Sequence, residues 1–327
     1  MKIIRTDREL ETPHVDVTLR AAGHTLVLLP DGIAEDDLIA QVRAADLLLM
    51  CYTPITARVI AAADRLKGIV KYGVGIDAID IPAARARGIA VVNIPEYAEE
   101  TVAEGAFALM IALAKKLIPL QRQMQSEGWT WPEARWLASD IAGKTVGLVG
   151  AGKIGRSMAR MAGAGFRARV LGYDPHVPAA QMQAAGIEKC TDLHTMLAAS
   201  DFVSIHSVLN PDTHHLIGAA EIAAMKPTAF LINVSRGAII DETALLAALQ
   251  RGTIAGAGLD VFSQEPLAKI GHPHSRLFEM PNVLLSPHLT FYTAEAMRRL
   301  EDETLERCFE ILEGREVLVK SGDPRLR

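Results

Sequence analysis

Three segments in the second half of the chain carry side chains able to do chemistry: LINVSRGAIID holds Arg236, LDVFSQEP holds Glu265 and LLSPHLTF holds His288. Each segment opens on an apolar run of strand length. Each side chain is therefore expected just past the carboxyl end of a buried strand, where open α/β sheets bind ligands. A guanidinium can hold a carboxylate and polarise a neighbouring carbonyl, and an imidazole titrates near neutrality. Hydride transfer to or from a 2-keto acid needs those two groups, and a carboxylate can orient the imidazole. Taken singly, the three residues have plainer readings. Arg236 could be a surface ion-pair partner, Glu265 before Pro266 a turn residue, and His288 after Pro287 a loop histidine. Their weight comes from occurring together with a nucleotide-binding fingerprint.

That fingerprint is TVGLVGAGKIG, in which Gly150, Gly152 and Gly155 form GxGxxG after an apolar strand and before a helical run. The spacing assigns Gly150 to the tight turn, Gly152 to close approach of the pyrophosphate, and Gly155 to helix–strand packing. Lys153 and Ile154 complete the loop, and the helix amino terminus offers free N–H groups to phosphate. Nineteen residues past Gly155 the run VLGYD ends in Asp174, with no Arg directly after it. A carboxylate there accepts hydrogen bonds from the ribose hydroxyls and repels a 2′-phosphate, so NAD is expected rather than NADP. The alternative reading is that Asp174 and Pro175 only begin a surface turn.

The elements that must position these residues alternate along the chain. Candidate strands at Lys2 to Arg5, Thr25 to Leu29, Asp46 to Cys51, Gly68 to Lys71 and Ala90 to Asn93 are separated by helical periods. One long helix is expected from Glu99 to about Glu127. A segment holding Trp129, Trp131 and Trp136 follows it. A second set of strands lies at Thr145 to Val149, Ala168 to Tyr173, Phe202 to His206, Ala229 to Val234 and Gly256 to Val261. The helix after the glycine loop is expected over Arg156 to Ala164, and an amphipathic helix from Thr293 to about Leu312. The fold class is α/β: two Rossmann-like or flavodoxin-like parallel-sheet domains, with the active site expected in the cleft between them.

Composition narrows the function classes. Half of the 327 residues are apolar and the net charge is -5, with no Lys/Arg block, so no nucleic-acid surface is expected. Cys51, Cys190 and Cys308 lack metal-ligand or disulfide-framework spacing, which favours a reduced, cytoplasmic protein without a metal site. The amino terminus MKIIRTDREL has no signal-peptide core. The apolar stretch from Ala106 to Leu120 is interrupted by Lys115 and Lys116, so no membrane segment is expected. His206, His214, His215, His272 and His274 read as structural or solvent-exposed.

Arg236, Glu265 and His288, in these segments and this order, resemble the catalytic trio of the D-isomer-specific 2-hydroxyacid dehydrogenases. KYGVGIDAID at 71 to 80, GKTVGLVGAGKIG at 143 to 155 and NPDT at 210 to 213 extend the resemblance over nearly the whole chain. It implies that Arg236 pairs with the substrate carboxylate and polarises the carbonyl, while the backbone N–H groups of Val74 and Gly75 hold the carboxylate from the other side. It also implies that His288 gives and takes the proton, and that Glu265 orients the imidazole and raises its pKa. Asp260 is placed beside this pair and, with Thr213, near the cofactor. Tyr52 and Phe291, with Met50 and Cys51, are expected to line the substrate pocket. The resemblance divides the chain into a substrate domain, 1 to 98 plus 289 to 327, and an inserted NAD domain, 99 to 288. It also implies a homodimer built on the helix from Glu99 and the tryptophan segment, with Trp131 or Trp136 reaching toward the partner. The bulky run Leu289, Thr290, Phe291, Tyr292 after the histidine is similar to the branch containing the C-terminal-binding proteins. Phosphoglycerate, hydroxypyruvate and glyoxylate remain open as substrates. An NAD(H)-sensing binding protein with incidental turnover is the alternative. Formate or phosphite chemistry is disfavoured: the phosphite enzymes have Lys where this chain has Val74, and a glutamine of the formate enzymes is missing here.

Overall fold

The computed structural model describes residues 1–326 and divides into two compact units, Met1–Ala98 with Tyr292–Arg327 and Glu99–Phe291. Both are parallel-sheet α/β structures, as the alternation of runs predicts. Among the described residues no helix is long and apolar enough to cross a membrane.

The first unit holds β1 (Lys2–Arg5), β2 (Thr25–Leu28), β3 (Leu47–Met50), β4 (Gly68–Lys71) and β5 (Ala90–Asn93), in sheet order β2-β1-β3-β4-β5. Every pairing is parallel, with Leu48 opposite both Ile4 and Ile69. LLLM and GIVK are buried throughout, as strands covered on both faces must be. The helix Ala294–Glu313 packs on this unit with Met297, Leu300, Leu305, Cys308 and Ile311 buried, an apolar stripe at helical spacing. Ile311 seats over Gly68, where an added Cβ would lie 2.7 Å from its Cδ1, so the missing side chain is what allows helix and strand to meet.

The second unit holds β6 (Thr145–Val149), β7 (Arg169–Tyr173), β8 (Glu188–Lys189), β9 (Phe202–Ile205), β10 (Phe230–Asn233), β11 (Gly256–Leu259) and β12 (Val283–Leu285). The order β12-β11-β10-β9-β6-β7-β8 reverses direction between β6 and β9, the kind of switch point at which parallel sheets open a crevice past their carboxyl ends. Alternate residues of each strand enter two cores on opposite faces. Val149, Val203 and Leu231 face one, and Leu148, Phe202 and Ile232 face the other.

Two expectations need correction. The helix from Glu99 is not continuous to Glu127: it ends at Ala114, and a second helix runs Leu117–Glu127. Pro119 is the reason. Its ring would collide with the carbonyl of Lys115 in an unbroken helix, whereas a break with Lys116 at φ 51° puts it in a first turn, where its missing N–H costs nothing. The helix after the glycine loop begins at Lys153, earlier than expected. After Arg160 it widens into a π-turn over Met161–Gly165.

Thr293 caps the returning helix by accepting the Ala296 N–H at 3.2 Å. Thr293→Ala should lower stability by about 1 kcal/mol, the usual cost of losing an N-cap. Thermal unfolding of the two proteins checks this, and an unchanged midpoint would contradict the capping role.

Candidate active site

The three chemistry-bearing loops of the second unit follow β10, β11 and β12. Buried Asn233 at the end of β10 shapes the first: its Oδ1 accepts Ser235 N at 3.0 Å and its Nδ2 donates to Arg236 O at 2.9 Å. Arg236 is thereby held in extended backbone, with its Nη1 donating to Ser235 O at 2.7 Å. Gly237 then passes so close to the second loop that a Cβ would meet Phe262 C at 2.0 Å and Ser263 N at 2.1 Å. The loop of Arg236 and the loop of Glu265 are therefore in backbone contact.

His288 takes φ 58°, a left-handed conformation that a side chain tolerates only when its neighbours enforce it. Asp260 supplies that constraint. Its carbonyl accepts His288 N at 2.7 Å, and its fully buried carboxylate accepts Leu289 N at 3.0 Å, Thr290 N at 3.1 Å and Thr290 Oγ1 at 2.6 Å. The carbonyl and carboxylate of Asp260 are thus turned to the histidine loop. His288 Nδ1 lies 2.9 Å from Glu265 Oε2, and Glu265 Oε1 accepts Phe262 N at 3.0 Å. Because Nδ1 faces a carboxylate it carries the proton there, which leaves Nε2 as the nitrogen that can exchange one with a ligand. Burial acts to raise the Glu265 pKa. It is outweighed by the hydrogen bond and charge of His288, the Phe262 N–H and the charge of Arg236, so the carboxyl sits below its ordinary value. Phe291, buried, meets the imidazole edge-on with ring centroids 6.3 Å apart.

The glycine loop fits a dinucleotide. Gly150 has φ 98° and would place a Cβ 2.6 Å from Ser207 N, while a Cβ on Gly155 would lie 2.3 Å from Gly150 O. A Cβ on Gly152 would meet nothing within 4 Å. Two glycines are thus required by packing, and the third faces open space at the start of the helix Lys153–Arg160, as phosphate approach demands. The Lys153 ammonium pairs with Glu99 at 2.9 Å, and Ile154 packs against the core. Asp174, half-buried at the end of β7, accepts Ala151 N at 2.9 Å through one oxygen and His176 N and Val177 N through the other. Thr213 folds inward, its hydroxyl donating to Val208 O at 2.6 Å and closing the NPDT turn.

In the first unit, Tyr52 stands 41% exposed on the loop after β3. The N–H groups of Val74 and Gly75, after β4, donate to no backbone or side-chain acceptor among the described residues, and adjacent N–H donors of this kind can meet an anion. Asn93 Nδ2 holds that turn by donating to Val74 O at 2.6 Å.

Several contributors escaped the sequence reading. The buried Asp7 carboxylate accepts Cys51 N, Tyr52 N and Thr53 N at 2.7–3.1 Å and so fixes the Tyr52 loop. Lys71 is buried with its ammonium 2.7 Å from Cys51 O. His206 and Ser207 directly follow β9 beside Gly150, with His206 Nδ1 and Ser207 Oγ buried and without hydrogen-bond partners among the described residues. Only the TD of Asp7 and the strand-end position of His206 could have flagged them.

Although His206 as a residue keeps partial exposure, burial of its ring pushes its pKa down from 6.5 to about 4. In that window the unfolded chain binds a proton that the folded chain does not. The associated stability is therefore full above about pH 6.5 and is lost as pH falls toward 4, by up to about 3 kcal/mol. Denaturant titrations of His206→Gln should show a flatter dependence over this range; a slope identical to the parent's would contradict the assignment.

Residues 107–290 match the family model described as D-isomer specific 2-hydroxyacid dehydrogenase, NAD binding domain. A glyoxylate reductase of Korarchaeum cryptofilum is 39% identical over 280 residues, covering 85% of this chain and 82% of that protein. A D-3-phosphoglycerate dehydrogenase of Synechocystis sp. is 39% identical over 286 residues, which span 86% of this chain but 50% of the longer relative. Among solved structures, the D-lactate dehydrogenase from Aquifex aeolicus complexed with NAD and lactic acid aligns with a TM-score of 0.84 at 29% identity, covering 95% of this chain and 96% of that one.

Proposed function

Since this chain belongs to the D-isomer-specific 2-hydroxyacid dehydrogenases, we propose that it interconverts a small D-2-hydroxy acid and its 2-keto acid, with His288, Glu265 and Arg236 as the reacting machinery. The observation that carries this reading is the 2.9 Å contact of His288 Nδ1 with Glu265 Oε2, with the Glu265 loop in backbone contact with that of Arg236. The cofactor is NAD, which supplies or accepts the hydride when bound. Gly150, Gly152 and Gly155 with the N–H groups of Lys153 and Ile154 would hold its pyrophosphate, and Asp174 its ribose.

In the reductive direction His288 Nε2 gives a proton to the forming hydroxyl oxygen. Glu265 stabilises the imidazolium before that transfer and keeps the ring oriented during it. Arg236 pairs with the substrate carboxylate and offsets the negative charge that develops on the carbonyl oxygen. In the first unit, the N–H groups of Val74 and Gly75 would serve as donors to a substrate carboxylate and Tyr52 would contact the substrate; in the second, Phe291 would contact it beside His288. Oxidation runs the same steps backward, with His288 neutral and accepting. The unit containing Met1–Ala98 is thus the substrate domain and Glu99–Phe291 the cofactor domain.

A homodimer belongs to the same proposal. No residue of the helix Leu117–Glu127 is buried in the single chain, and it is followed by Trp129 at 73%, Trp131 at 74% and Leu137 at 79% exposure. Apolar surface of this kind normally marks an interface. Trp136 packs locally instead, its Nε1 donating to Thr130 Oγ1 at 3.1 Å and the Arg135 guanidinium 4.8 Å from its ring.

A panel of 2-keto acids assayed with NADH and NADPH tests the reaction class. Turnover with NADH is expected for at least one small member, and none with any member would overturn the proposal. With the best substrate, His288→Ala and Arg236→Ala should each lower turnover by ~10²–10⁴-fold; near-parental rates in either would remove its assigned role. Asp174→Ala should raise the efficiency of NADPH relative to NADH, and an unchanged ratio would contradict its discriminating role. Mass measurement at micromolar concentration should give twice the chain mass of 35.3 kDa, with a monomer counting against the dimer.

A further inference from the structure

Behind Glu265 lies a second cluster of ionisable groups that the reaction itself does not use. Glu242, the buried first residue of the helix Glu242–Arg251, accepts Ser263 N through Oε1 at 2.8 Å and Ser263 Oγ through Oε2. His274 places its Nδ1 3.0 Å from Glu242 Oε2, packed against the carboxylate but angled outside hydrogen-bond geometry. His272, also buried, accepts His274 N at its Nδ1 (3.0 Å) and faces Gln264 O with its Nε2 at 3.1 Å. A nitrogen that accepts a backbone N–H cannot itself be protonated, so His272 is the neutral ring with its proton on Nε2, donated to Gln264 O. The two residues immediately before Glu265 are therefore gripped from behind, Ser263 by a carboxylate and Gln264 by an imidazole. The third side is closed by Gly237, whose absent side chain lets the Arg236 loop press on Phe262 and Ser263.

We propose that Glu242, His272 and His274 act together as positioning residues for the Glu265–His288 pair, holding the 262–265 loop so that Glu265 Oε2 stays in reach of His288 Nδ1. The inference rests on the assignment of His288 as the proton donor. Its logic is geometric. Glu265 has one oxygen committed to Phe262 N, so any drift of the loop backbone carries the other away from the imidazole. A buried carboxylate bound to a backbone N–H and a hydroxyl forms strong charge-assisted bonds that resist such drift. The ionisable groups facing this arrangement are Asp241, which caps the same helix through Thr243 N and Ala244 N, and Glu265, His288 and Arg236 in front. None of the three proposed residues touches the glycine loop, so cofactor affinity is independent of them.

The test is the pH profile of kcat/KM for keto-acid reduction in Glu242→Gln, which keeps the shape of the side chain and removes its charge. Weaker support of Glu265 makes the imidazolium less stable. The alkaline limb should then move to lower pH by about one unit, which corresponds to roughly a tenfold loss of rate on that limb. NADH affinity, read by fluorescence titration, should stay within about twofold of the parent, given the separate location of the glycine loop. A limb superimposable on the parent's, or a loss of NADH affinity in proportion to the loss of rate, would overturn the inference. Should Glu242→Gln fail to fold, as judged by its thermal transition, Ser263→Ala removes one of the two contacts and is held to the same criteria with a smaller shift. His288→Asn, assayed in parallel, separates the two levels. Retained turnover there removes the reading on which the inference rests, whereas loss of turnover with an unmoved Glu242→Gln profile removes the inference alone.

Discussion

The hydrogen bond from His288 Nδ1 to Glu265 Oε2 joins residues 23 positions apart, on loops after two adjacent parallel strands. Neither loop belongs to a helix or strand, so the bond is only as stable as the supports behind each loop. The histidine loop is bent into a left-handed residue and anchored on Asp260, whose carboxylate and carbonyl together accept four hydrogen bonds from residues 288–290. The glutamate loop leans on Glu242, His272 and Gly237. Buried polar groups of this kind are costly unless satisfied, and here each is satisfied by a backbone group of a loop it must hold.

The sheet makes those supports possible. In a parallel sheet every strand delivers its carboxyl end to the same edge, so Asn233, Asp260 and His288 arrive side by side from β10, β11 and β12. The reversal between β6 and β9 opens the same edge beside the glycine loop, which brings the start of the helix Lys153–Arg160 and the His288–Glu265 pair to one rim of one unit. The first unit repeats the device on a smaller scale: Asp7 and Asn93 tie down the loops after β3 and β4, leaving the N–H groups of Val74 and Gly75 without an acceptor among the described residues.

Much of this was legible in the sequence, and the parts that were not share a cause. Strands such as GIVK and AVVN were found to the residue because an apolar run of strand length bounded by turn signals has few other readings. The glycine loop was legible because each glycine has a distinct steric task. The helix from Glu99 was misjudged because apolar periodicity continues past Lys115, and the ring of Pro119 outweighs periodicity. Asp7, Asn93, Glu242 and the histidines at 272 and 274 were missed or read as incidental. Their function is to bond backbone groups distant in sequence, and no spacing rule encodes such a partner. Asp260 was expected near the histidine, but its role as the anchor of the 288–290 loop came only from the geometry.

The central claim is that a hydride passes directly to C2 of a 2-keto acid while His288 supplies the proton to oxygen. Reduction of the best keto acid with NADH deuterated at C4 on its transferable face, followed by mass and chiral analysis of the product, tests this most directly. The account predicts one deuterium at C2, none exchanged with solvent, and the D configuration. A product without deuterium at C2, or one of L configuration, would contradict it.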